Sequence, residues 1–328
     1  MPPLTSGAVV LRAPAKVNLG LRVLGRRPDG YHEIDTLCLA LDLHDRLEIT
    51  AGAEGETAEI ELAGPAAAGV PVDGTNLAVR ALRAAQALAR ERGRPSRDLC
   101  LRLEKRVPAA AGLGGGSADA AAAFHGAARL LGLDGDDPGL VEALARLGSD
   151  CAFFHGARAT GLARCRGRGE RVEPIADVAL RWSLVVVTPE FGCSTASVYG
   201  ALRVPPTVAG PPEDPRTLLA RPPEELAQRL ANDLEPVALR VEPELAEFRA
   251  WLEELAPRAF LLSGSGSSFF SMHADERGAV RLVEQLRTAA KARRCALRGA
   301  WLARPRGRGV EFDDAKSHSD EGHAACNP

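Results

Sequence analysis

Leu99, Leu101 and Leu103 alternate with Cys100, Arg102 and Glu104, and a period of two predicts a strand with one face in the core. Just upstream the period changes. Between Asn76 and Arg92, Leu77, Ala81, Leu82, Ala85 and Leu88 share one side of a helix and arginines occupy the other. Val9 to Leu24 predicts a pair of strands broken by the polar residues of APAKVNLG, followed by a turn at RRPDG and a further strand. Residues 47–49 and 60–62 alternate around a Gly-rich connection, as the arms of a hairpin do. The continuous apolar run WSLVVV, within 181–188, suits a buried strand. Helices are predicted over 117–131, 140–147, 223–230, 242–255 and 276–293, and strands at 260–262, at FFSM and finally at 295–303. The Pro-rich segment 205–215 predicts a surface loop, and the polar, aperiodic 304–328 a disordered tail.

Length and composition narrow the class. A chain of 328 residues, 45% hydrophobic and 26% charged, exceeds one ordinary core and divides into two domains, with disorder excluded as its main state. It has no charge-free apolar run of about 18 residues, and MPPLTSGAVVLRAP lacks the regions of a secretory signal. A cytoplasmic protein without a membrane partner is expected. A formal charge of −2 gives no general attraction to nucleic acid, and nothing indicates an obligate protein partner. The seven cysteines are scattered without a C-x-x-C pair, which favours reduced, buried thiols over disulfides or zinc. Only four of the 41 basic residues are lysines, at 16, 105, 291 and 316. Where arginine serves everywhere else, a retained lysine marks a place that needs a compact ammonium.

Four segments carry candidate chemistry. From Pro108 to Phe124, four glycines within five residues separate a strand from a helix that Ser117 would cap. Backbone N–H groups without side chains can approach a phosphate, and the helix start adds partial positive charge. The loop has no Walker lysine, and Ser117 and Asp119 fall where a dinucleotide fingerprint needs its third glycine. Lys16 and Asn18 interrupt an apolar strand, so Lys16 either snorkels at an edge or serves a site. Tyr31 and His32 follow a tight turn and bring a stackable ring and a two-faced hydrogen-bonding ring. Asp150, before two phenylalanines, is a turn ligand or a base kept from water, and LLSGSGSSFF is a hairpin turn or a site lining.

In this order and spacing, PAKVNLGL, RPDGYHEI, GLGGGSADAA and the GSD ending at Asp150 resemble the GHMP kinases, in which a P-x-x-x-G-L-G-G-G-S loop replaces the Walker motif. The pairing of PAK with DGYH resembles the branch that phosphorylates a cytidine diphosphate-linked methylerythritol, a small-molecule substrate of isoprenoid synthesis. The resemblance spans roughly Val9 to Ala303. It implies an α+β, two-domain GHMP kinase fold, with an N-terminal domain (1–160) like the second domain of ribosomal protein S5 and a ferredoxin-like C-terminal domain (161–303); the tail (304–328) has no counterpart. It implies ATP and Mg2+, with Pro108, Ala109, Ala110, Ala111, Gly112, Leu113, Gly114, Gly115, Gly116, Ser117 and Ala118 around the triphosphate and Ser117 as a metal contact. Asn76 and Lys105 then match positions near the adenine, Asp150 the general base, and Lys16 the cation paired with it. Asn18, Tyr31, His32 and Tyr199 match the substrate side, the last three around cytosine. Family members commonly carry Val-Pro after this aspartate, where this chain has Cys151 and Ala152. A non-catalytic nucleotide sensor on the same fold would keep the glycine loop and lose Lys16 or Asp150, and a kinase for another alcohol would lack the DGYH segment or Tyr199.

Overall fold

One long strand, β1 (Ala8–Arg26), stands where a broken pair is predicted. Three register shifts against β2 (His32–Glu54), at Pro14/Lys16, Asn18/Gly20 and Val23/Gly25, absorb the irregular residues without ending the strand. Polar side chains survive at its centre because residues 13–19 are buried on both faces. Asp29 accepts from the Tyr31 N–H at the β1–β2 turn, and Gly30 takes φ +85° there. In a computed structural model, residues 7–135, 137–203, 213–293 and 296–313 are described. The Pro-rich loop lies mostly outside them, as does the tail after Asp313.

The first sheet has the order β11-β1-β2-β4-β3, with β3 at Ala58–Ala63, β4 at Arg97–Glu104 and β11 at Glu311–Phe312. The hairpin expected between 47–49 and 60–62 does not form. β4 lies between these arms, antiparallel to β2 and parallel to β3; alternation specifies a buried face but not a partner. The other half of β2 pairs with β5 (Leu162–Gly167), which pairs in turn with β6 (Arg171–Pro174). The sheet therefore runs past residue 160 and closes with β11, so the segment after Arg304 begins ordered: Arg12 and Asp313 form an ion pair at 3.0 Å.

Helices α1 (Leu77–Glu91), α2 (Gly115–Leu130), α3 (Pro138–Leu147) and α4 (Ser149–Gly156) join this sheet around one core that includes Leu11, Ile49, Leu82, Leu101 and Phe124. Alanines along α2 let it pack closely; a Cβ on Gly126 would stand 2.5 Å from Ile49.

The second sheet has the order β10-β7-β9-β8, all antiparallel, with β7 at Ser183–Pro189, β8 at Leu261–Leu262, β9 at Phe269–His273 and β10 at Leu297–Ala303. With α10 (Glu276–Arg293) between β9 and β10, this is the ferredoxin-like arrangement. Among the described residues, five helices lie between β7 and β8: α5 (Thr195–Ala201), α6 (Pro215–Leu219), α7 (Pro223–Arg229), α8 (Glu235–Val241) and α9 (Pro243–Leu255). Of these, α5, α6 and α8 have no counterpart among the predicted elements. A third core joins the units: Ala15, Val17 and Leu19 of β1 meet Leu184, Val186 and Phe270 of the second sheet. Lys16 and Asn18 therefore point the other way, Lys16 toward Asp150 of α4 and Asn18 toward Thr36 and Cys38 of β2.

Candidate active site

Lys16 is 4% exposed, and burying an ammonium is costly unless it is paired. Its Nζ lies 3.4 Å from Asp150 Oδ2 and donates to Asn18 Oδ1 at 2.6 Å. Burial pulls the Lys16 pKa down, but the Asp150 carboxylate and neighbouring groups more than offset this, and the net direction is upward. Lys16 therefore remains a cation. Asn18 is held in turn, with its amide NH2 donating to Thr36 Oγ1 at 2.9 Å. Both Asn18 side-chain ends are thus engaged within the protein, one of them in aiming Lys16.

Asp150 occupies the first turn of α4, and its side chain is 41% exposed. Where Val-Pro is usual, Cys151 is buried, its thiol is pushed up to about 11 mainly by burial, and it shares a hydrogen bond with Ser117. The helix that carries Asp150 is thereby tied to the start of α2.

The helix behind the glycine loop is capped differently from the expectation. Ser117 does not cap α2; Gly114 does, in the left-handed region at φ +69°, with no side-chain bond. A Cβ at Gly112 would stand 2.6 Å from the Ser263 carbonyl, and one at Gly114 would stand 2.9 Å from the Lys16 stem. Close packing thus requires both glycines, whatever the loop binds. Gly116 is exposed, and a Cβ there would only touch Leu77 at 3.9 Å, while the first N–H groups of α2 have no partner within the helix. The loop is pinned from outside: Arg298 donates to the Ala109 carbonyl at 2.8 Å, and the Ser268 N–H to the Ala111 carbonyl at 3.0 Å.

A cavity of about 980 Å³ opens between the units, and Lys16, Asp150, Ser117, Tyr31, His32 and Tyr199 all line it. The His32 and Tyr199 rings lie 5.3 Å apart at 33°. Burial, with Arg26 nearby, lowers the His32 pKa, leaving a neutral ring that offers one donor and one acceptor. Burial raises the Tyr199 phenol. The Gly/Ser segment 263–268 is both of the things expected of it: the Ser263 N–H bonds to Ser268 O across the hairpin, while Gly264 and Ser265 line the cavity.

Asn76 and Lys105, expected near the adenine, do not line this cavity. Asn76 caps α1, accepting from the Ala78 N–H at 2.8 Å and donating to the Pro71 carbonyl at 2.7 Å. Lys105, 1% exposed, is locked to Asp45 and to Asp119, the latter at 2.9 Å, beneath the first turn of α2. Its ammonium is spent on the fold. Sequence reasoning missed Asp45 and Asp119, which carry no local signal, and also Asn232, whose amide bonds to the carbonyls of Leu262 and Gly264. Among the described residues no group of three His, Cys, Asp or Glu could hold a metal, and no helix is long and apolar enough to cross a membrane.

The family models for the GHMP kinases N terminal domain and the GHMP kinases C terminal match residues 76–157 and 217–292. The 4-diphosphocytidyl-2-C-methyl-D-erythritol kinase of Pelotomaculum thermopropionicum is 39% identical over 277 residues, covering 84% of this chain and 92% of that protein. The kinase of the same name from Bacillus subtilis is 35% identical, covering 85% and 93%. Among solved structures, a 4-(cytidine 5'-diphospho)-2C-methyl-D-erythritol kinase aligns with TM-score 0.67 at 37% identity over 90% of this chain and 98% of its own. A homoserine kinase from Cytophaga hutchinsonii has the same TM-score at 16% identity, over 95% and 99%, and so shares the fold. The chain belongs to the GHMP kinases and, within them, to the 4-diphosphocytidyl-2-C-methyl-D-erythritol kinase family.

Proposed function

We propose that this chain transfers the γ-phosphoryl group of ATP to the 2-hydroxyl of 4-diphosphocytidyl-2-C-methyl-D-erythritol, a step toward isoprenoid precursors in the cytoplasm. The observation that carries this is the presence, in one cavity, of a Lys16–Asp150 pair at 3.4 Å and a ring set of Tyr31, His32 and Tyr199. Phosphoryl transfer asks a protein for in-line positioning, charge neutralisation and one proton acceptor. Asp150 accepts the hydroxyl proton, and its exposure lets that proton pass to water. Lys16, aimed by Asn18, places a point charge beside the same oxygen and against the transferring phosphoryl. The free N–H groups at the start of α2 hold the phosphates. A magnesium ion riding on the triphosphate would spread the charge on its oxygens. It normally binds few protein oxygens and completes its shell with phosphate and water, which suits a wall offering the Ser117 hydroxyl. His32 reads the cytosine edge, and Tyr31 and Tyr199 stack on its faces.

An ADP-release assay against the cytidyl substrate, mevalonate, homoserine and galactose tests the proposal. Turnover of the cytidyl substrate well above the other three is expected. Preference for any of the others would leave a kinase of this fold with a different alcohol as its substrate.

A further inference from the structure

The cavity wall carries three cations, Lys16, Arg26 and Arg168, against one carboxylate, Asp150. Lys16 and Asp150 are paired with each other, so two guanidinium charges remain on the wall. Arg168 sits in the β5–β6 turn between Gly167 and Gly169, both at positive φ. Its guanidinium carbon lies 4.8 Å over the Tyr31 ring. Asp29 is the carboxylate whose charge it feels, and Arg27 already holds Asp29 at 3.0 Å. Arg26, at the end of β1, faces the cavity beside His32.

Two uncompensated guanidinium groups on a cavity wall favour an anion, and their planar forks suit phosphate oxygens. Their position beside Tyr31 and His32, and not beside Lys16, places that anion next to the ring set. A Tyr31 ring with Arg168 on one face has its other face left for a base, and the cation is itself favoured by the ring. We propose that Arg168, together with Arg26, receives the diphosphate of the substrate, so that Arg168 is a specificity-determining residue for a base carrying a diphosphate over the same base without one. The inference rests on the cytidyl reading above and adds to it the residues that recognise the phosphates.

Calorimetry with the full chain, using CDP and cytidine as probes, tests this on Arg168→Gln and Arg168→Lys. Losing a charge-assisted contact should weaken CDP by about 10-fold or more, while cytidine changes by less than about threefold. Arg168→Lys keeps the charge but loses the planar fork, and its CDP affinity should fall between those of Arg168→Gln and the parent. In steady state Arg168→Gln should raise KM for the cytidyl substrate by a similar factor, with kcat and the KM for ATP nearly unchanged. If CDP and cytidine weaken equally, Arg168 only props the Tyr31 ring and the proposal is wrong. If neither weakens, or if kcat falls with KM unchanged, it is wrong as well. A wild-type chain that binds neither CDP nor cytidine would overturn the cytidyl reading itself, an outcome distinct from all of these.

Discussion

Replacing Asp119 by asparagine should stabilise this protein, and increasingly so as the pH rises. The buried cluster beneath α2 holds two carboxylates, Asp45 and Asp119, and one ammonium, Lys105. Asp45 is well served, accepting from Lys105 and from the N–H groups of Arg106 and Val107 at 2.5 and 2.8 Å. Asp119 has Lys105 at 2.9 Å on one oxygen, while its Oδ1 is buried with no partner. Burial drives the Asp119 pKa well above 3.8, Lys105 opposes the shift, and the nearby Asp45 charge adds to it. Between 3.8 and that raised value, the folded chain keeps a proton on Asp119 that the unfolded chain has released. Raising the pH then favours unfolding by about 1.4 kcal/mol per unit. An amide does not titrate. Its oxygen can take the Lys105 bond, and its NH2 can donate to Asp45, which is within hydrogen-bond reach. Urea unfolding of both proteins at several pH values from about 5 to 8 should therefore show an advantage for Asp119→Asn that widens with pH until Asp119 itself ionises. The contrasting change, Lys105→Met, strands Asp45 and should cost about 3 to 5 kcal/mol. A pH-independent difference between Asp119→Asn and the parent, or one that shrinks as the pH rises, would refute this reasoning.

Asp150→Asn should lower kcat by about 100-fold or more with ATP affinity nearly unchanged, because general-base help is typically worth 10² to 10⁴; near-normal turnover would remove Asp150 from the mechanism. Lys16→Arg should be almost as damaging, since a planar fork does not fit a 4% exposed slot bounded by Asn18, Asp150 and Gly114; full activity would mean that the site needs only positive charge. Alanine at Tyr31 or Tyr199 should weaken the cytidyl substrate by about 5- to 150-fold, the range for one lost stacking contact, with ATP binding, measured separately by calorimetry, within about twofold. The half-buried Tyr199 should lose more than Tyr31, which is 56% exposed, and equal losses for ATP would argue against a separate base subsite.

Local pattern determined most element positions, because α1, β4, α9 and α10 each carry their period in consecutive residues. It could not determine partners: β2 and β3 look like neighbours along the chain, yet β4 pairs with both, a choice set by packing against α1 and α2. The motifs likewise brought Lys16, Asp150, Tyr31, His32 and Tyr199 to attention, and the tertiary structure placed all five around one cavity. Arg168 carried no such signal, since an arginine in a Gly-rich turn is ordinary until its ring partner, 137 positions away in the sequence, is known. Rarity in an arginine-rich chain marked every lysine as a place for a compact ammonium, yet Lys291 is exposed while Lys16 and Lys105 are buried. These last two are the clearest case. Which one faces the cavity between the units and which one seals two carboxylates under a helix depends on Asp150, Asp45 and Asp119. Charge partners distant in sequence meet only when the sheets and helices pack, so burial and pairing, the two terms that set an ammonium's role, are properties of the fold.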